Sequence, residues 1–259
     1  MTAPFGCSLL VDTSGLTSAT TEDGAADRAS ATDGGADVSS LDAATDALAA
    51  DGGIVCDATF CDDFDDGPVG AKWSRAIVNK GSIDLATKYT SAPSALRARF
   101  FGSDSTDDRY AMLERDLGTG TRVRCDFSMS VTARADRDVN DPFRIRTTAP
   151  GVSDYLLYLV LPAAGGIALA DDIQYSDGGC ACPQRLTSFD SFPIGAWRRI
   201  TIETDFTTAT LSVDGAVVVT NTFGPIVPNG PIVVGLGGRA FSSITSETLF
   251  DDFSCTITK

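Results

Sequence analysis

The chain has no histidine among its 259 residues. That removes the commonest general base and the commonest metal ligand, so histidine-dependent nucleophile triads and ordinary zinc sites are excluded. Lysine is confined to Lys72, Lys80, Lys88 and Lys259, and glutamate to Glu22, Glu114, Glu203 and Glu247. Aspartate therefore carries most of the net charge of −15. Nucleic acids and anionic membrane surfaces are bound through basic patches, and the sequence offers none. Apolar runs are too short for a transmembrane helix. No CxxC pair occurs among the seven cysteines, which argues against a thiolate zinc site.

Six of those cysteines, at 56, 61, 125, 180, 182 and 255, read instead as disulfides of an oxidising compartment. Spacing alone does not choose their connectivity. Cys56 and Cys61 flank a short turn and could close a small loop. Cys125 and Cys255 each fall on the apolar face of a strand, where a buried link would fit. Cys180 and Cys182 stand too close together to bridge one another without strain.

Residues 1–55 differ in kind from the rest. They are rich in Ala, Thr, Ser, Asp and Gly, and nine acids against Arg28 alone give −8, leaving −7 for the remainder. Such a segment buries too little apolar surface to offset the entropy of ordering, so a flexible, disordered tether is expected. From residue 56 onward, period-two alternation recurs between turn residues. Val123, Cys125, Phe127, Met129 and Val131 alternate with polar residues. Tyr155 to Leu161 is apolar on both faces, as a central strand requires. Asp214-Gly215 between two alternating runs is a hairpin signal. No long helical pattern appears in this part, and the strands it predicts suit one all-β, two-sheet antiparallel sandwich over 56–259.

Two acidic strands bracket that region. Phe60, Asp62 and Phe64 share one face of the first, while Leu249, Asp251, Phe253, Cys255 and Ile257 share one face of the last. Each strand thus sets one aspartate on its apolar side, where a carboxylate needs a partner. Three readings stay open: a shared calcium ion, protein donors such as an arginine or backbone amides, or exposure to solvent.

Several blocks, in order, resemble the concanavalin A-like lectin/glucanase superfamily, and LamG-like jelly rolls of bacterial secreted proteins in particular. They are Cys61-Asp62-Asp63-Phe64-Asp65 with Trp73, then Ser91-Ala92-Pro93-Ser94-Ala95-Leu96, Gly195-Ala196-Trp197-Arg198-Arg199-Ile200, Val213-Asp214-Gly215, Val233-Val234-Gly235-Leu236 and Phe250-Asp251-Asp252-Phe253. The resemblance implies a jelly-roll sandwich with its terminal strands side by side, a structural calcium near those strands (here at Asp62 and Asp251), and glycan binding on the concave face or loop rim. Gly6-Cys7-Ser8 before the acidic tether resembles the mature start of a bacterial lipoprotein, which would make Cys7 the lipidated residue and a lipid anchor the route to the cell surface.

Among residues that could meet a ligand, Trp73, Trp197, Tyr155, Tyr158 and Tyr175 are potential stacking platforms for sugar rings. Tyr155 and Tyr158 have opposite parity, so at most one faces a given groove. Arg144 and Arg146 share a face, as do Arg97 and Arg99, and either pair could bind an acidic polysaccharide or simply pair with aspartates across strands. Glu114-Arg115-Asp116 resembles part of a laminarinase-type catalytic strand, but the second glutamate such a strand needs is missing. The function expected is a non-catalytic, extracellular or surface-tethered binding domain for glycan or a surface protein. A divergent glycoside hydrolase on the same jelly roll, or a structural envelope protein, is the alternative.

Overall fold

A computed structural model describes residues 56–102, 109–134, 140–163, 165–181, 187–189, 192–222, 225–240 and 244–259. All belong to the unit Asp51–Lys259. The tether of residues 1–55, Cys7, Cys182 and the pairing of Cys180 lie outside the described residues.

Every element described is a β-strand. In chain order they are β1 (Phe60–Asp62), β2 (Arg75–Asn79), β3 (Gly81–Ala86), β4 (Ala95–Phe100), β5 (Arg109–Asp116) and β6 (Arg122–Ala133). There follow β7 (Asn140–Ala149), β8 (Val152–Leu161), β9 (Ile167–Tyr175), β10 (Cys180–Ala181), β11 (Thr187–Phe189) and β12 (Arg198–Thr204). The last are β13 (Thr208–Val213), β14 (Ala216–Thr222), β15 (Val233–Leu236), β16 (Arg239–Ala240) and β17 (Ser246–Thr258). One sheet runs β14-β13-β12-β6-β17-β4-β3, with β1 on β17. The other runs β10-β9-β8-β7-β15-β5; β16 also pairs with β5 and β7, β2 with β5, and β11 with β9. All pairings are antiparallel, and the first strand lies against the last in one sheet.

The alternation that predicted the strands sorts their side chains. On β6, Val123, Cys125, Phe127, Met129 and Val131 are fully buried between the sheets. The Phe127 ring lies 5.2 Å from Phe143 of the opposite sheet and 5.9 Å from Phe253. Removing such a ring from water contributes about 1.5–3 kcal/mol. The strand Tyr155–Leu161 is central, as its two apolar faces require: Tyr155, Leu157, Leu159 and Leu161 face the core, and Tyr158 and Val160 cluster with Ala168 and Ala170 on the other side. At the hairpin, Asp214 and Gly215 both take left-handed φ values, 51° and 81°, which match the twist of the strands they join.

Two disulfides are formed among the described residues. Cys56 is joined to Cys61, and Cys125 to Cys255 directly across β6 and β17. The single alternation expected along the closing strand is corrected. A bulge between Asp251 and Ser254, with Asp252 at φ 52°, inserts a residue and reverses the parity. Phe250, Phe253 and Cys255 face the core, whereas Asp251 stands opposite Ser128 on the outer side.

Candidate ligand-binding face

The bulge separates the two aspartates that the sequence grouped together. Asp62 pairs with Phe253 and stays on the core side, where Trp73 Nε1 donates to its Oδ2 at 2.7 Å and the Phe64 amide to its Oδ1 at 3.1 Å. Lys72 Nζ lies 3.3 Å from the same Oδ1. Asp251 is fully buried on the outer side, beneath the loop between β3 and β4. Its carboxylate accepts from the Thr90 amide and hydroxyl at 2.7 and 2.9 Å, from the Ser91 amide and hydroxyl at 2.8 and 3.1 Å, and from the Asp252 amide at 2.9 Å. Burial pushes its carboxyl above the ordinary range, partly offset by the bonds from Ser91 and Thr90. Among the described residues, no group of three or more acids or cysteines is arranged to hold a metal ion. The donors described at both aspartates are the protein's own.

The chemistry open to a ligand gathers on the outer face of the second sheet. Leu113 and Ala111 of β5 point into the core, so Glu114 and Tyr110 point out. The register then builds one row across the sheet: Arg75 opposite Glu114, Glu114 opposite Gly235, Gly235 opposite Arg144, and Arg144 opposite Tyr158. Two residues along, a second row runs Asp116, Val233, Arg146, Leu156 and Asp172.

Electrostatics bind the first row together. Arg75 and Arg144 both donate to Glu114, one to each carboxylate oxygen. The glutamate side chain is 2% exposed although it stands on an outer face, because the two guanidinium groups cover it. Burial alone would raise its carboxyl; the bonds from Arg75 and Arg144 outweigh that and hold it below the usual carboxylate range. In the second row Arg146 lies 4.0 Å from Asp154, and both stay about one-third exposed. Burial raises the carboxyls of Asp154 and Asp172, with the charge of Asp172 adding to the effect at Asp154. Burial also raises the Tyr158 hydroxyl well above its ordinary value, helped by Asp141 and Asp172. The face thus presents exposed guanidinium groups beside half-buried carboxyls, with the Tyr158 phenol buried next to them, and guanidinium groups with carboxyls form a set that recognises oxyanions and sugar hydroxyls.

The structure places Arg144, Arg146 and Tyr158 together on this face. Tyr155 goes elsewhere: its opposite parity buries it in the core, with its ring 6.0 Å from Phe206. Trp73 is likewise core, packed 5.1 Å from Phe60. Trp197 is half-buried, and Tyr175, 41% exposed, borders a groove of about 380 Å³ with Pro150, Ile226 and Val227. Arg97 and Arg99 belong to the first sheet and are taken by Asp84 and Glu247. Arg75, Asp154 and Asp172 are not singled out by the sequence, and Glu114 figures there only as part of an incomplete catalytic strand. The signal available was the alternation of Arg144 and Arg146 with a lone glutamate on another strand.

No protein-family model matches the chain, and no curated protein does. Solved structures do. The cellulose-induced protein Cip1 superposes with a TM-score of 0.54 at 17% identity, covering 77% of this chain and 97% of that one. Alginate lyase vAL-1 from Chlorella virus superposes with a TM-score of 0.52 at 13% identity, covering 71% and 93%. At such identities the likeness shows the fold. The protein is a jelly-roll β-sandwich of the concanavalin-like class.

Proposed function

We propose that residues 56–259 form a non-catalytic, extracellular, LamG-like binding domain that takes an anionic glycan on the outer face of the second sheet. The observation that carries this reading is the continuous row of Arg75, Glu114, Arg144 and Tyr158 beside Arg146. It places two guanidinium groups on one carboxylate and leaves the Arg75 and Arg146 side chains 53% and 34% exposed. Guanidinium forks bind carboxylate or sulfate in a planar, bidentate manner, and neighbouring carboxyls accept from hydroxyls. The fold supports the reading as well, since one structure that shares it is named an alginate lyase. The disulfides Cys56–Cys61 and Cys125–Cys255 support an extracellular setting. Attachment to the cell surface through Cys7 belongs to the same proposal.

A catalytic reading has one observation in its favour, a tyrosine next to arginines on a fold shared with a lyase. Its weakness is chemical. Burial raises the Tyr158 hydroxyl, which disfavours it as a general base, and the bonds from Arg75 and Arg144 outweigh burial to hold Glu114 below the usual carboxylate range, which disfavours it as a general acid.

Titration calorimetry with oligogalacturonate and oligoalginate, against neutral cello-oligosaccharides, tests the proposal. The acidic oligomers should bind and the neutral ones should not. Arg146→Ala or Arg75→Ala should each weaken binding about 10- to 100-fold, the range for one charge-assisted contact. Acidic oligomers that fail to bind, or bind equally well to both variants, would overturn it. Ultraviolet absorbance from unsaturated sugar in the same samples would favour the enzyme.

A further inference from the structure

Glu114 and Arg144 are not neighbours in the sheet. β15 runs between their strands, and both residues register on Gly235. With adjacent strands about 4.8 Å apart, their backbones stand roughly 9–10 Å from one another. Any side chain at position 235 would rise between them. A Cβ built on Gly235 would lie 2.9 Å from Arg144 Cγ, 3.1 Å from Arg144 Nε and 2.6 Å from Met112 Sδ. Real Cβ atoms essentially never come as close as the first and third of these distances and seldom as close as the second, so Met112 and Arg144 would both have to shift, and two of the three atoms belong to Arg144.

The arginine therefore lies down across β15, in the slot that the missing side chain leaves, and reaches the glutamate on the far side. Backbone conformation does not explain the glycine, because Gly235 is absent from the glycines with positive φ. Space does. Arg75 closes the bridge from β2 with a second bond to the same carboxylate. Exposure grades along the row, from 2% at Glu114 to 12% at Arg144 and 53% at Arg75. Arg144 is thus a cation pressed flat onto the sheet, held by an acid that solvent hardly reaches.

We infer that Glu114 is the positioning residue of this face and that Gly235 is the vacancy that lets it act, together fixing Arg144 flat across β15. The inference about Arg144's pose stands on geometry alone; its use in ligand capture rests on the glycan reading above. The competing idea is that Glu114 merely occupies the arginines and competes with an anionic ligand for them. The two make opposite forecasts. A positioning residue, once removed, weakens binding, whereas a competitor's removal strengthens it.

The experiment pairs a ligand-free readout with a binding readout on the full chain. In nitrogen-15 spectra of the wild type, the Nε–H that is lost in Arg144→Lys should be among those with slowed solvent exchange, because Arg144 Nε is buried while its Nη2 holds Glu114. Glu114→Gln and, independently, Gly235→Ala should return that signal to fast exchange. With tetragalacturonate as probe, Glu114→Gln should weaken binding by about tenfold or more, the loss of one charge-assisted contact. Arg144→Ala added to Glu114→Gln should cost little further, because the glutamate acts through that arginine. Unchanged Arg144 exchange in both Glu114→Gln and Gly235→Ala would overturn the inference, as would tighter binding in Glu114→Gln. If wild-type protein ignores tetragalacturonate, the glycan reading falls and the exchange data alone decide the positioning role. Should Glu114→Gln fail to fold, Gly235→Ala carries both readouts, since it displaces Arg144 while leaving every charge in place.

Discussion

Replacing Asp251 with alanine removes one acceptor that five donors share. Those donors are the amides of Thr90, Ser91 and Asp252 and the hydroxyls of Thr90 and Ser91, at 2.7 to 3.1 Å. A hydrogen bond to a charged group contributes about 1.5–3 kcal/mol, and a buried donor left without a partner costs about 1–3 kcal/mol. These terms are not additive here. The hydroxyls can turn to Asp252, which already accepts from Thr90 and Ser91 at 3.1 and 2.9 Å. Water can reach part of the loop, since the donors are only part-buried. Counting the two loop amides as lost and the rest as rearranged leaves about 3–5 kcal/mol. For a domain of this size each kcal/mol moves the melting temperature by about 2–4 °C, so the shift should be about 6–20 °C downward. Differential scanning calorimetry on wild type, Asp251→Ala and Asp252→Ala reads it directly, with Asp252→Ala shifting far less. Wild type should melt at the same temperature with and without a calcium chelator, because five protein donors already occupy the Asp251 carboxylate. A shift in Asp251→Ala smaller than in Asp252→Ala would refute the clamp. A fall on chelation that follows mass action in free calcium would instead establish the calcium expected from the sequence.

Three further outcomes follow from the same geometry. Arg134 donates Nη1 to the carbonyls of Pro162 and Gly166 and Nη2 to that of Phe192, at 2.9, 3.0 and 3.0 Å, so Arg134→Lys, which cannot fork, should cost about 2–4 kcal/mol by urea denaturation and raise amide exchange in the β8–β9 turn. The Cys125–Cys255 link closes a separation of 130 residues and Cys56–Cys61 one of 5, so paired Cys→Ala replacement should cost roughly 5 kcal/mol at the first and about 2 kcal/mol at the second under non-reducing conditions. Glu114 is held below its ordinary value, so its contribution is present above the unfolded glutamate range near ~4.3 and lost as pH falls through the folded value. The stability gap between wild type and Glu114→Gln, measured by denaturation at stepped pH, should therefore be widest at neutral pH and narrow steadily into acid.

Local pattern was enough for much of this molecule. The Asp214-Gly215 turn, the doubly apolar strand around Tyr158 and the core-facing side of Cys125 and of Cys255, each on its own strand, all depend on residues close in sequence or on simple parity. Parity also predicted that Tyr155 and Tyr158 would part, one to each side of their sheet. It failed at Asp251, because a bulge at Asp252 costs one residue of register and nothing in Asp251-Asp252 announces it. The Arg75, Glu114 and Arg144 row was illegible for a different reason. It requires that Val233–Leu236, drawn from the far end of the chain, insert between β5 and β7. Alternation tells which way a side chain points; it does not tell which strand lies next door. Gly235 reads in the sequence as one glycine in an apolar run, and acquires its meaning only when Arg144 is seen lying over it.

The buried carboxylates of Asp251 and Glu114 use their donors for different ends. Asp251 is satisfied by amides and hydroxyls, which bring no net charge, so its effect ends at the loop it ties down. Glu114 is satisfied by two guanidinium groups, which bring one positive charge more than they neutralise. That surplus sits on a chain whose net charge is −15, so long-range fields oppose an approaching anion rather than steer it. The anion recognition proposed for this face would then have to come from short-range, directional contacts, which work best if the guanidinium groups are already in place when the ligand arrives. Arg75 is more than half exposed and on an edge strand, so its half of the surplus is loosely held; Arg144, flat over Gly235, is where preorganisation resides. On the proposed reading, the acid that fixes Arg144 should do more for an anionic ligand than its negative charge takes away.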